Sequence, residues 1–308
     1  KRPQRQIVEQ EFSQGGASCH SGFYHGAMEA FLAERGTANL AKNIEEVCDT
    51  FSTGFGKFEC LHGVGHGVMA FEDYDLHQAI KTCGELGTDY ERNSCYGGLF
   101  MENIVAGQGL GAIRGHNTKW VSKDPQFPCN SISQDYNVQF QCWQMQTSWM
   151  LTLFSYNFDL VRDECLRARP DMISVCFKSL GRDAAGHTLR NPTKIVEVCA
   201  KVPRPVRNQP RHDVVAAVPQ AEQISNGASE NNYYDQCLIG AVNVIVDFWG
   251  AEVGTKASEL CKMVPELGKK ACYSTLYSRL FDVFASVPQR KSVCNTFEQK
   301  YQSYCSSL

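Results

Sequence analysis

The sequence predicts an all-α fold, a right-handed α-solenoid of about seven helical hairpins linked by disulfides. Two observations carry that reading. First, the fifteen cysteines fall in a rhythm. After Cys19 they pair as Cys48 with Cys60, Cys83 with Cys95, Cys129 with Cys142, Cys165 with Cys176, Cys199 with Cys237, Cys261 with Cys272 and Cys294 with Cys305. Five of these gaps hold ten or eleven residues and one holds twelve. Second, the stretches between the short gaps carry apolar residues at helical spacing. Cysteines that open a unit recur at 60→95, 142→176, 237→272 and 272→305, a period of 33 to 35 residues. Two helices per period of this length describe stacked hairpins that bury each other's apolar faces.

The elements follow in order. Residues 1–14 form a tail, and residues 15–308 form one repeat domain. CHSGFYHGAMEAFLAERG followed by LAKNIEEVC gives the first hairpin. The second opens as CLHGVGHGVMAFE at Cys60 and returns from Leu76 to Cys83. CYGGLFMENIVAG opens the third at Cys95. An insertion at 107–128, glycine-rich and then aromatic around Trp120, breaks the period and reads as an ordered loop. CWQMQTSWMLTLF from Cys142 with FDLVRDEC, and CFKSLGRDAAGHTL from Cys176 with PTKIVEVC, continue the array. A second insertion at 201–234, proline-rich and then polar, reads as a mobile loop. CLIGAVNVIVDFWG from Cys237 with ASELC, and CYSTLYSRLFDVF from Cys272 with RKSVC, complete it. Each staple is expected to join the last turn of one hairpin to the first turn of the next. Closing a loop of that size constrains the unfolded chain by roughly 2–4 kcal/mol.

Composition limits the function classes. A net charge of −3 argues against a nucleic-acid-binding surface, and Lys1, Arg2 and Arg5 sit in the tail. No apolar run reaches the length of a membrane span; Leu238 to Trp249 comes nearest and contains Asn243 and Asp247. Paired cysteines at this density belong in an oxidising compartment, periplasmic or extracellular, and zinc-type Cys-x2-Cys spacings are absent. The one Asn-x-Ser/Thr triplet, Asn191-Pro192-Thr193, is blocked by its proline, which weighs toward a bacterial periplasm or surface. A start at Lys1-Arg2-Pro3 reads as that of a processed chain. Cys19 has no upstream partner, which makes an intermolecular disulfide one expectation for it.

On these cysteine pairs and two-helix units the chain resembles tetratricopeptide-type α-solenoids, especially cysteine-rich bacterial ones with one disulfide per hairpin. The resemblance covers residues 15–308 and is architectural: the Trp, Leu-Gly and Tyr consensus positions are absent, and the loop between cysteines is longer. It implies protein or peptide partners bound along a concave groove.

Aligned on their opening cysteines, the first helices show two further rows. Three residues on stand Gly22, Gly63, Gly98, Met145, Ser179, Gly240 and Thr275, mostly small, as close backbone approach requires. Six residues on stand His25, His66, Met101, Ser148, Arg182, Asn243 and Ser278. Stacking would align these into one stripe whose first members are metal-binding types. His62 and His66 stand at i, i+4, the spacing at which a helix offers two imidazoles to one ion. The candidate ligands are therefore His20, His25, His62, His66 and Met101, with Tyr24, Glu29, Asp73 and Glu102 as supporting or substrate-binding groups. Neutral imidazoles with a thioether suit copper; imidazoles with Glu29 or Glu102 suit zinc or iron. A b-type haem between helices ranks below copper and zinc, and c-type haem is excluded because Cys-x-x-Cys-His does not occur.

The expected function is an extracytoplasmic binding or assembly module with a histidine-lined pocket for a metal or small ligand. Two alternatives stand beside it. One is a purely structural interaction subunit, with the Trp120 insertion as partner surface. The other is a metal-dependent enzyme using the same histidines, with Glu102 or Asp73 as general base.

Overall fold

The structure is a computed structural model that describes residues 20–51, 53–111, 117–204, 232–248 and 253–307, with side chains at all of these except 20–24, 247–248, 253 and 307. Cys19, much of the second insertion and the side chains of His20 and Tyr24 thus lie outside what is described. The described residues hold thirteen α-helices and a closing 3₁₀ stretch, and no strand. In chain order the helices are α1 His20–Arg35, α2 Leu40–Cys48, α3 Gly54–Phe71, α4 Leu76–Gly84, α5 Asp89–Gly107, α6 Tyr136–Leu153 and α7 Phe158–Cys165. They continue as α8 Ile173–His187, α9 Pro192–Ala200, α10 Tyr233–Phe248, α11 Val253–Met263, α12 Glu266–Val283 and α13 Val287–Cys294, followed by the 3₁₀ stretch Gln299–Ser307. No described helix is long and apolar enough to cross a membrane.

The long helices α1, α3, α5, α6, α8, α10 and α12 form one row, each packed on the next, and the short helices lie beside it. The row curls back on itself. α12 also meets α3, where Gly54 lies beside Asp282, and the Tyr90 hydroxyl donates to the Gly54 carbonyl at 3.0 Å. The core runs through the row as one apolar cluster, with Leu32, Leu61, Leu99, Trp143, Phe177, Leu238 and Leu276 inaccessible to solvent. Seven disulfides staple it at the cysteine pairs that the spacing marks. They join Cys48 to Cys60, Cys83 to Cys95, Cys129 to Cys142 and Cys165 to Cys176. Further along they join Cys199 to Cys237, Cys261 to Cys272 and Cys294 to Cys305. All are intramolecular, and they indicate an oxidising compartment.

Two features differ from the sequence expectation. The first helices do not open at their cysteines. α3 and α5 begin six residues before Cys60 and Cys95, because Thr53 caps the free N–H of Gly56 and Thr88 forms a capping box with Glu91. Cys142 and Cys272 likewise sit six residues into α6 and α12, and Cys176 sits three residues into α8. These staples therefore enter past the first turn, where the cysteine faces inward and is buried. Cys305 opens no α-helix at all: it lies half-buried in the closing 3₁₀ stretch. The third unit is not a helical hairpin: in place of a second helix, residues 117–135 form a loop that carries Cys129. That loop is tied down by Gln146 Nε2 donating to the Pro125 and Phe127 carbonyls at 2.8 and 2.9 Å, and by Trp149 Nε1 donating to the Ser122 carbonyl at 2.8 Å.

Three hairpin turns share one backbone conformation. Asp73–Tyr74, Ser155–Tyr156 and Leu189–Arg190 all have positive φ, between 49° and 62°, without a glycine among them. Each pair is followed at once by a helix-capping Asp75, Asn157 or Asn191. Each is closed by a bond from the second residue's N–H back to Met69, Leu151 or Ala185. Two consecutive left-handed residues cost roughly 1–2 kcal/mol each, so the surrounding packing must impose the turn.

Candidate metal centre

The site is built where α1, α3 and α5 come closest. A Cβ added at Gly98 would lie 1.9 Å from the His62 carbonyl oxygen, and one at Gly65 would lie 2.0 Å from the Cys95 oxygen. On the other side of α3, a Cβ at Gly67 would fall 3.0 Å from the Met28 oxygen and 3.2 Å from the Glu29 Cα. Only glycine permits this approach, and the approach brings side chains of three helices to one point. The same register recurs further along the row. A residue five after one opening cysteine meets the residue three after the next: Gly65 with Gly98, Gly181 with Gly240, and Thr147 with Ser179 at 2.5 Å. In the Gly181 case an added Cβ would lie 1.8 Å from the Cys237 oxygen.

Three imidazoles converge there. The His25 ring stacks on His66 at 4.0 Å between centroids and lies 5.3 Å from His62; His62 and His66 are 5.2 Å apart. Their ligand atoms all fall within 4.8 Å of one another, as do those of a second group, Glu29, His66 and Glu102. His62, His66 and Glu102 are 4, 3 and 2 % exposed, so bulk water does not compete for them.

Hydrogen bonds orient the cluster. His66 Nδ1 lies 2.9 Å from Glu102 Oε2, and the Tyr74 hydroxyl donates to Glu102 Oε1 at 2.8 Å. A carboxylate only accepts, so Nδ1 carries a His66 proton, and in the neutral ring Nε2 presents its lone pair. Among the described residues that buried Nε2 meets no hydrogen-bond partner. A carboxylate behind one nitrogen and a free lone pair on the other is the arrangement by which proteins set an imidazole for a metal. His62 Nε2 lies 3.4 Å from Met101 Sδ, and its Nδ1 points at Gly97, where an added Cβ would be 3.3 Å away.

Electrostatics hold two of the rings neutral. Burial, then the repulsion His66 would exert if both rings were protonated, lowers the His25 pKa from 6.5 to about 3. His62 is lowered well below the ordinary value by burial first, then by His66, His25 and Arg182, with the Ser94 backbone opposing. Glu29 is raised by burial and then by Glu102, against His66. A metal ligand must be deprotonated, and here burial has already done that for His25 and His62.

Of the residues singled out from the sequence, His25, His62, His66, Met101, Glu29 and Glu102 are brought together. Asp73 is not: it is exposed at its turn. Its neighbour Tyr74, which the sequence did not single out, is the residue that reaches Glu102. The sixth-position stripe changes chemistry along the row. At α6 and α8 it becomes a hydrogen-bonded set in which Asp183 accepts from Thr147 and Ser148 at 2.7 and 2.9 Å and pairs with Arg182 at 2.8 Å. Backbone contact between α3 and α5 leaves no slot for a porphyrin between them.

Comparison of the chain with family models, with curated proteins and with solved structures finds no match.

Proposed function

We propose that this protein is an extracytoplasmic helical-repeat module that binds a transition-metal ion through His25, His62 and His66, copper and zinc being the ions such imidazoles suit. The observation that carries the reading is His66: one nitrogen committed to Glu102, the other a buried lone pair with no donor. A buried polar atom left unpaired costs about 1–3 kcal/mol, and a bound cation removes that cost. Two staples support the reading, since Cys48–Cys60 ties α2 to α3 and Cys83–Cys95 ties α4 to α5 without help from the metal.

The test is metal analysis of protein purified without a histidine tag, followed by titration of the chelator-treated protein with Zn(II) and copper. One ion per chain at micromolar affinity or better is expected, abolished in a His62→Ala/His66→Ala double variant. A wild-type chain that binds neither ion at that level sinks the proposal.

A second reading, a metal-dependent enzyme, draws on Glu29, a half-buried carboxyl pushed toward its protonated form beside the cluster. Azide or cyanide perturbing the spectrum of the Co(II)-loaded protein would support it by revealing an open coordination position.

A further inference from the structure

The donor set at this centre is soft and electrically neutral. We infer that its preferred ion is monovalent copper, with the Met101 thioether as a ligand beside the imidazoles; this rests on the metal-binding reading above.

The first argument is distance. In a tetrahedral site with metal–nitrogen bonds of about 2.0 Å and metal–sulfur bonds of about 2.3 Å, nitrogen and sulfur ligands stand about 3.5 Å apart. His62 Nε2 and Met101 Sδ stand 3.4 Å apart. The second argument is the proton on His62. A neutral imidazole has one N–H. With the proton on Nε2, the ring's other lone pair sits on a buried Nδ1 without a donor. With the proton on Nδ1, that N–H faces the Ser94 backbone, and the Nε2 lone pair faces the lone pairs of a sulfur. The Ser94 backbone thus favours the tautomer whose Nε2 lone pair faces the sulfur, an arrangement that a cation between nitrogen and sulfur would settle.

Charge separates Cu(I) from a dication. Both Glu102 oxygens are occupied, one by His66 and one by Tyr74, so Glu102 balances charge at one remove and is not a free donor. The second carboxyl of the cluster, Glu29, is only half-buried, so Glu102 is the one buried carboxylate, and it offsets one positive charge. Desolvation of an ion grows with the square of its charge, so a buried dication among neutral ligands is the more costly guest. Thioether and imidazole are also the ligands that monovalent copper favours over carboxylate-seeking ions.

The experiment is an anaerobic titration of chelator-treated protein with Cu(I) against a chromogenic competitor, and a parallel titration with Zn(II), for wild type and Met101→Leu. X-ray absorption is then measured on the Cu(I)-loaded wild type. Leucine keeps the volume at 101, and unchanged thermal unfolding of the metal-free variant checks the fold. The expected result is one Cu(I) per chain, with Met101→Leu weakening Cu(I) by about tenfold or more and leaving Zn(II) within about twofold. The wild-type absorption spectrum should show a sulfur neighbour at about 2.3 Å. A wild-type spectrum with nitrogen neighbours alone overturns the inference whatever the variant does. Zn(II) binding with no preference for Cu(I) also overturns it and leaves the metal centre standing. Binding of neither ion removes both.

Discussion

Replacing Gly98 by alanine adds one methyl group at the contact that brings α3 and α5 together. The added Cβ would sit 1.9 Å from the His62 carbonyl oxygen, where real Cβ contacts do not fall below 3.0 Å. The helices must therefore part by roughly 1 Å, and overpacking of this kind costs about 1–3 kcal/mol. Because the obstacle is backbone, no side-chain rotation relieves it. The same shift stretches the His66–Glu102 bond from 2.9 Å beyond hydrogen-bonding range and separates His62 from Met101. At about 2–4 °C per kcal/mol for a chain of this order of size, thermal unfolding should move down by several degrees. Gly186→Ala is the control, since nothing lies within 4 Å of its Cβ position and its helix should gain about 1 kcal/mol from alanine. Circular dichroism melts of both variants, with metal affinity measured alongside, make the comparison. A Gly98→Ala chain as stable as wild type, with undiminished affinity, would refute the argument that glycine at this position builds the site.

The metal-free protein should lose stability as pH falls. His25 and His62 have folded pKa values below 6.5, so the unfolded chain takes up their protons first, and stability declines from pH 6.5 downward toward about 3, where His25 protonates in the folded state. At pH 5 the His25 ring should cost about 2 kcal/mol relative to pH 7, with His62 adding in the same direction, read as a lower urea midpoint; midpoints equal at the two pH values would count against neutral rings at the cluster. Tyr74→Phe removes the hydroxyl that holds Glu102 and should weaken metal binding by about 10–100-fold while keeping the fold. Unchanged affinity would show that Glu102 needs no such support. Leu189, 82 % exposed with φ of 52°, should be improved by glycine by about 1 kcal/mol; a lower melting temperature in Leu189→Gly would argue that its side chain holds the turn.

Which parts of this were legible beforehand follows from what each depends on. Disulfide partners were readable because a staple between consecutive hairpins fixes a short loop, and loop length is a sequence quantity. His62 and His66 were readable from helix periodicity, and His25 and Met101 once the cysteines served as a ruler. The starts of α3 and α5 lie six residues before their cysteines, which mark the staple and not the first turn; for α5 the sequence signal is the Thr88-x-x-Glu91 capping box. Tyr74 was not readable, since the turn that delivers it uses two left-handed residues without the glycine that announces such turns. The small row three residues past each cysteine was visible. Its partner row at five, Gly65, Thr147 and Gly181, was not, because which rows meet is decided by packing register.

The central claim is that three imidazoles, two of them buried, converge on one ion. Anomalous difference density, collected at the absorption edge of the bound metal from crystals of untagged protein, tests it most directly. The expected result is a single peak within about 2.0–2.1 Å of His66 Nε2, shared with His25 and His62. Density at the edge lying elsewhere, or none in crystals soaked with Cu(I) and Zn(II) while the three rings keep their places, would contradict it.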